Sequence, residues 1–349
     1  MLGRPPELSG LDSLGVVEPT LALADQIEAA AANVGEIAGL PAHEDIEQVV
    51  LLGAGDAGVA AEFVAAVGDP FGSVPCIVVE GYSAPTFVSE ATLCIALSRS
   101  GETEETLEAA EAAVVAGARM VVVGGGGQLV ELGRAWEAPV IEIDPDLPTE
   151  RASLGALAIP PMLVLEQTGL WPGATDWIAR TVEQLRRREA ELAKPDSLAA
   201  QLARTIGRTM PIVYGAGEIG GAAARRWKAQ CNKNAKIPAF AGRLPELTHD
   251  EIAGWGQHGD VTRQVFTVVQ LRHEDEHPQV MRRYELMRDL VDEVVHEVID
   301  VEARGDGSVA QMFDLAYIGD VVSLHLAMNE GTDPGPVPAV ARVESELTD

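Results

Sequence analysis

Two short stretches constrain this chain more than anything else in it. GAGDAGVAA runs from Gly53 to Ala61 behind the apolar run VVLL, and GAGEIGGAA runs from Gly215 to Ala223 behind PIVY. Each predicts a strand that turns through glycines into a helix, and the recurrence predicts two related α/β lobes. Both stretches also match G-x-G-x-x-G. In the first, Gly53, Gly55 and Gly58 would allow a tight turn, close approach to a pyrophosphate and helix–strand packing, and Glu80 ends the next predicted strand where a ribose-binding acid belongs. The same glycines equally serve a bare βα turn. The second copy has no acid-ending strand behind it, since KIPAFAGRLPE follows. The turns alone leave an NAD-type oxidoreductase and a plain fold element both open.

Around the first turn, short apolar runs at 49–53, 75–80, 92–98, 119–124 and 139–143 alternate with helical stretches at 58–67, 102–116 and 129–136. That alternation predicts a parallel sheet with helices on both faces. An Ala-rich helix is expected over 18–37, a long helix over 151–169 and a charged connector over 178–194. The second half repeats the plan, with strands at 210–214, 265–271 and 294–301 and helices at 218–232, 278–292 and 311–329. The expected division is an N-terminal helical segment (1–44), a first lobe (45–170), a connector (171–197), a second lobe (198–330) and a tail helix (331–349).

The formal charge of −29 argues against nucleic acid and anionic membrane surfaces as partners. Only four lysines occur, Lys194, Lys228, Lys233 and Lys236, so an anion site must draw on arginine, hydroxyls and backbone N–H groups. Cys76, Cys94 and Cys231 share no metal or redox spacing and read as small core residues of a cytoplasmic protein. No apolar run approaches a membrane span, and the opening MLGRPPELSG shows no signal-peptide core.

Between the apolar run TLCIAL and the predicted helix lies SRSGETEET, which sets the hydroxyls of Ser98, Ser100, Thr103 and Thr106 around a glycine at a helix N-terminus. The dipole and unpaired N–H groups there suit a phosphate, and hydroxyls add donors without lysine. Ser100 with Thr103 or Glu104 would also serve as a capping box.

S-x-S-G-x-T-x-E-T after a strand resembles the signature of sugar isomerase (SIS) domains. The order of SRSGETEET, Arg151 in PTERASLGAL, GAGEIGG, NKNAK, PELTHDEIAGW and DPGPV is similar to the bifunctional phosphoglucose/phosphomannose isomerases, including a divergent, TobH-like branch. The resemblance implies two tandem SIS lobes, each a flavodoxin-like parallel sheet with flanking helices. It implies a phosphosugar ligand in carbohydrate metabolism, no cofactor or metal, and a homodimer whose histidine crosses the interface.

Aldose–ketose isomerisation needs a phosphate cradle, a ring-opening group, a base between C1 and C2, and a cation for the developing charge. By resemblance the cradle is Ser98, Ser100, Thr103 and Thr106 with the turn residues Gly55, Asp56 and Ala57; the cation is Arg151 and the ring opener His249. The expected base, a glutamate between two asparagines, is Lys233 here. A protonated lysine cannot abstract a carbon-bound proton, and acids such as Glu218 would keep it charged. Glu246 or Glu251 would be the relocated bases of an active isomerase. The family's serine in the first turn is Ala57, its Pro-Arg pair reads Glu150-Arg151, and the threonine of its D-P-T-P-V is Gly335 (Thr332 lies close but unaligned). Its late lysine is absent, with Arg342 and Glu344 nearest. The expectation is a phosphosugar-binding SIS protein with little classical isomerase turnover.

Overall fold

A computed structural model describes residues 10–347, apart from the side chains of 69–71. The first nine residues and the last two, parts of the expected N-terminal segment and tail, lie outside the described residues. Contacts within the chain divide it into two compact units. One comprises Ala22–Arg186 and Arg304–Asp314; the other comprises Arg187–Ala303 with the chain before Ala22 and after Asp314.

The first unit holds five parallel strands, β1 (Gln48–Leu52), β2 (Cys76–Val79), β3 (Thr92–Ser98), β4 (Arg119–Gly124) and β5 (Val140–Glu142), in the order β2-β1-β3-β4-β5. This is the flavodoxin order, whose switch point lies between β1 and β3. β3 is buried at all seven positions, which explains its unbroken apolar run with no alternation. The expected helix over 18–37 is two helices, α1 (Val17–Leu21) and α2 (Leu23–Val34). Near the break the Thr20 hydroxyl bonds back to the Val16 carbonyl at 2.6 Å, which competes with continued helix geometry. α3 (Gly55–Phe71) starts inside the first glycine turn, three residues before the expected boundary. α4 (Glu104–Val115) and α5 (Gly127–Ala135) follow β3 and β4. The expected helix over 151–169 opens as a 3-10 turn, Glu150–Ala152, and becomes α6 (Leu154–Gln167) only after Ser153. α6 is buried from Leu154 to Leu165 and is accordingly apolar on every side. Gln26 of α2 clamps its start, donating to the Ala152 carbonyl at 2.7 Å and accepting from the Gly155 amide at 2.7 Å.

α7 (Ala174–Leu192) covers the charged connector. The second unit contains α8 (Leu198–Ile206) and four parallel strands, β6 (Met210–Ala216), β7 (Phe240–Leu244), β8 (Phe266–Arg272) and β9 (Glu297–Glu302). Their order, β7-β6-β8-β9, repeats the first sheet without its fifth strand. α9 (Gly217–Gln230), α10 (Gly259–Val265), α11 (Pro278–Val291), α12 (Ser308–Asn329) and α13 (Pro338–Leu347) complete the elements. β7 corrects the sequence reading, which assigned no strand to KIPAFAGRLPE. Among the described residues, no helix is long and apolar enough to cross a membrane.

Candidate functional site

At the first glycine turn, Gly55 has φ +61°, a left-handed conformation that suits glycine. A Cβ on Gly58 would meet Glu80 Oε1 at 2.1 Å. Glu80 therefore lies against the first turn of α3, whose positive dipole end favours a carboxylate there. Asp56 and Ala57 open the helix and are both buried. Ala57 is 0 % exposed and presents no polar side-chain atom.

Three hydroxyls of SRSGETEET, those of Ser98, Ser100 and Thr103, meet at the end of β3 beside the switch point of the same unit. Ser98 ends β3 and is fully buried; its Oγ accepts from the Gly101 amide at 3.0 Å and lies 3.0 Å from Thr103 Oγ1 and 3.4 Å from Ser100 Oγ. Ser100 Oγ accepts from the Glu102 amide at 3.2 Å. Thr103 is the N-cap of α4 in an extended conformation, yet its side chain makes no capping bond. The capping-box alternative is thus corrected: Ser98 draws the Thr103 hydroxyl toward the cluster. Thr106 is buried in the first turn of α4, and its Oγ1 has no hydrogen-bond partner in the structure.

A run of four glycines, Gly124–Gly127, forms the floor under this loop. The Gly125 amide donates to Arg99 O at 3.1 Å and the Leu129 amide to Gly101 O at 3.0 Å. The Gln128 amide donates to Glu102 Oε1 at 3.0 Å. Side chains cannot enter this packing, for a Cβ on Gly101 would stand 1.9 Å from Gly126 O and one on Gly125 2.6 Å from Arg99 O. The sequence reading missed the role of this run. Four consecutive glycines leading into a helix were the available signal.

Arg151 sits in the 3-10 turn before α6 and is 6 % exposed. Its neighbour Glu150 accepts from the Arg99 amide at 3.2 Å through Oε1. The Arg99 guanidinium donates to Pro145 O at 3.0 Å and to Leu147 O. The hydroxyl loop and the turn bearing Arg151 are therefore joined within one unit.

In the second unit Lys233 occupies the middle of a π turn, Cys231–Ala235, that ends α9. Such turns recur at functional sites. Both flanking asparagines anchor it, with Asn232 Oδ1 accepting from the Ala239 amide at 2.9 Å and Asn234 Nδ2 donating to Ser323 Oγ at 2.9 Å. Lys236, at φ +58°, donates to the Lys233 carbonyl and to Pro334 O at 3.3 Å. Behind the turn, Arg226 and Asp320 form a buried bidentate pair, both bonds 2.9 Å. Burial pushes the Cys94 and Cys231 thiols up to about 12, so neither supplies a thiolate.

His249 is exposed beyond the 3-10 turn Glu246–Thr248, where its amide donates to Glu246 O at 2.8 Å. Two further acids differ from expectation. Glu218 pairs with Arg243. Glu251 accepts from the Tyr214 hydroxyl, and burial followed by that carboxylate pushes the Tyr214 phenol well above its usual range. Gly335 has little room for the threonine it replaces, since a Cβ there would lie 3.0 Å from Leu14. Arg342 pairs with Glu346 on α13, at 2.7 Å, in the exposed tail.

The family profile described as "Bacterial phospho-glucose isomerase C-terminal SIS domain" matches residues 195–347. The bifunctional phosphoglucose/phosphomannose isomerase of Caldicellulosiruptor bescii is 33 % identical over 310 residues, covering 88 % of this chain and 91 % of that protein. The enzyme of the same name from Thermoplasma acidophilum is 30 % identical over 302 residues, covering 86 % and 89 %. Among solved structures, the C-terminal domain of glucosamine-fructose-6-phosphate aminotransferase from Francisella tularensis superimposes with a TM-score of 0.67 at 16 % identity, covering 92 % of this chain and 98 % of that one. With both sheets in the expected order and relatives matching nearly end to end, the chain belongs to the bifunctional phosphoglucose/phosphomannose isomerase family of SIS proteins.

Proposed function

We propose that this protein binds a hexose 6-phosphate through the Ser98 loop and turns it over slowly or not at all as an aldose–ketose isomerase. The observation that carries the reading is the hydroxyl cluster of Ser98, Ser100 and Thr103 at the N-terminus of α4. It offers donors and a favourable dipole to a dianion without any lysine. Arg151 is assigned to the sugar end, where its cation would face charge developing on an enediol. His249 is assigned to ring opening, in a homodimer that shares it between subunits in the cytoplasm.

Lys233 is the reason for weak turnover. The relatives named above carry phosphoglucose and phosphomannose isomerase activity in their names, and their chemistry requires a base at C1–C2. Lys233 stands in place of the expected carboxylate, and a lysine carrying its proton has no lone pair with which to act there. The relocated-base alternative loses ground at Glu251, whose carboxylate is engaged by Tyr214. The oxidoreductase alternative rests on the glycine turns and Glu80 alone, whereas the relatives at 33 % and 30 % identity are named as phosphosugar isomerases.

Calorimetric titration with fructose 6-phosphate tests the reading. Wild-type protein is expected to bind, and Ser98→Ala to weaken binding at least ~10-fold, the scale of a lost charge-assisted hydrogen bond. Binding of NAD in place of sugar phosphates overturns it. A gain of ~10²-fold or more in isomerase rate for Lys233→Glu would show that the base alone is missing. Rapid wild-type interconversion of fructose and glucose 6-phosphates would refute the claim of weak turnover.

A further inference from the structure

We infer that Glu150 is a positioning residue that fixes the Arg151 turn against the Ser98 loop. This rests on the phosphosugar reading above and adds a part to it. Position 150 is where the resemblance leads one to expect proline, which would preset the backbone before Arg151 but carry no side-chain acceptor. The glutamate instead reaches the backbone amide of Arg99, 51 positions earlier in the chain, at 3.2 Å. Arg99 stands between the two serines whose hydroxyls form the cluster, so this one amide connects the two ends of the proposed site.

A second tie runs in the opposite direction. The Arg99 guanidinium donates to the carbonyls of Pro145 and Leu147, a few residues before the 3-10 turn. Arg99 thus gives its backbone to Glu150 and its side chain to the segment leading there. With Gln26 clamping the far side of the turn at Ala152 and Gly155, Arg151 is bracketed from both directions. A side-chain oxygen accepting from a backbone amide fixes that amide's direction, and an amide oxygen at the same reach can do the same. The loop and the cation would therefore be set relative to each other before ligand arrives, which reduces the ordering cost of binding. Glu150 need not touch the ligand to do this.

The experiment compares Glu150→Ala with Glu150→Gln in the full chain. Glutamine keeps an acceptor at the same reach and removes the charge; alanine removes both. Amide-resolved hydrogen exchange on the free proteins reads the tie directly. The Arg99 amide is expected to exchange ~10-fold faster or more in Glu150→Ala and within about threefold of wild type in Glu150→Gln. Titration with fructose 6-phosphate reads the consequence: ~10-fold weaker binding for alanine, largely restored by glutamine, with inorganic phosphate affected less because the proposal assigns Arg151 to the sugar end. Unchanged Arg99 exchange in the alanine variant overturns the inference. So does equal loss of sugar-phosphate affinity in both variants, which would mark an effect of charge alone. If wild-type protein binds no sugar phosphate but Arg99 exchange responds as expected, the tie stands as a structural device and the ligand reading fails.

Discussion

The two switch points of this chain carry nearly the same glycine turn and are filled in opposite ways. In the first unit Leu52 pairs with Ala96, so continuing the register sets Ser98 opposite Ala54, the middle of the glycine turn. In the second unit Gly215 pairs with Leu271, which sets Arg272 opposite Ala216, the same place in the second turn. Where the first unit offers hydroxyls, the second offers a guanidinium and then fills the place itself. Glu276, buried, takes the Arg272 guanidinium in bonds of 3.0, 3.1 and 2.8 Å and the His273 amide at 3.0 Å. His273 closes over the turn, its Nε2 3.1 Å from Ala216 O. In the second unit a buried carboxylate of the chain thus meets the group that ends the strand, whereas in the first unit the hydroxyls there meet one another. The same strand–turn–helix is thus left with hydroxyls in one unit and sealed as an ion-paired joint in the other, depending on whether the loop after the neighbouring strand brings its own anion.

The largest expected effect comes from unsealing the joint. Glu276→Ala leaves Arg272 partly buried without its partner and should cost about 3–5 kcal/mol of stability by denaturant unfolding. If the variant were as stable as wild type and took up inorganic phosphate at the second turn, the contrast would be one of occupancy only. Glycine substitutions come next. Gly101 has φ +72° and a Cβ there collides with Gly126 O, so Gly101→Ala should cost about 3 kcal/mol and disable ligand binding. Gly217, in the sealed turn, has φ +56° with open space around its Cβ position. Gly217→Ala should cost about 1 kcal/mol and leave binding intact; equal costs for the two would deny that the Ser98 loop is built more closely around Gly101 than the second turn is around Gly217. The smallest effect is on pH. A sugar phosphate loses its second proton near pH ~6, and a helix N-terminus prefers the dianion. Affinity should fall a few-fold between pH 7.5 and 5 in wild type, and a flat profile would argue that the α4 dipole does not face the phosphate.

Much of this was legible in the sequence because apolar runs and glycine turns are local signals. β1, β3, β4 and β6 carry continuous apolar runs and β8 one broken by Thr267 and Gln270, and the parallel sheets follow from their alternation with helices. β7 was illegible for a physical reason. It is an edge strand whose pattern of exposure leaves only Leu244 of its five residues buried, so it has neither an apolar run nor clean alternation. The hydroxyl loop was legible as a cluster, but not the bonds that arrange it. Glu150 showed as a departure from the family pattern and its role did not, because its partner is distant in sequence. The Gly124–Gly127 floor needed the opposing Gly101 to be intelligible. Glu218 was misread through proximity in sequence to the second turn, when Arg243 on the neighbouring strand β7 is its partner.

The Ser98 loop proposed to take an anion is made of hydroxyls and amides, while the chain around it carries a formal charge of −29. Its local attraction acts over a few ångströms, whereas the repulsion by the remaining carboxylates extends over a Debye length, ~10 Å at 0.1 M salt. Moderate salt should therefore speed the capture of a phosphate ester while hardly touching its release, the reverse of what a lysine-lined pocket shows. On the proposed reading, ionic strength would act as a gate on arrival.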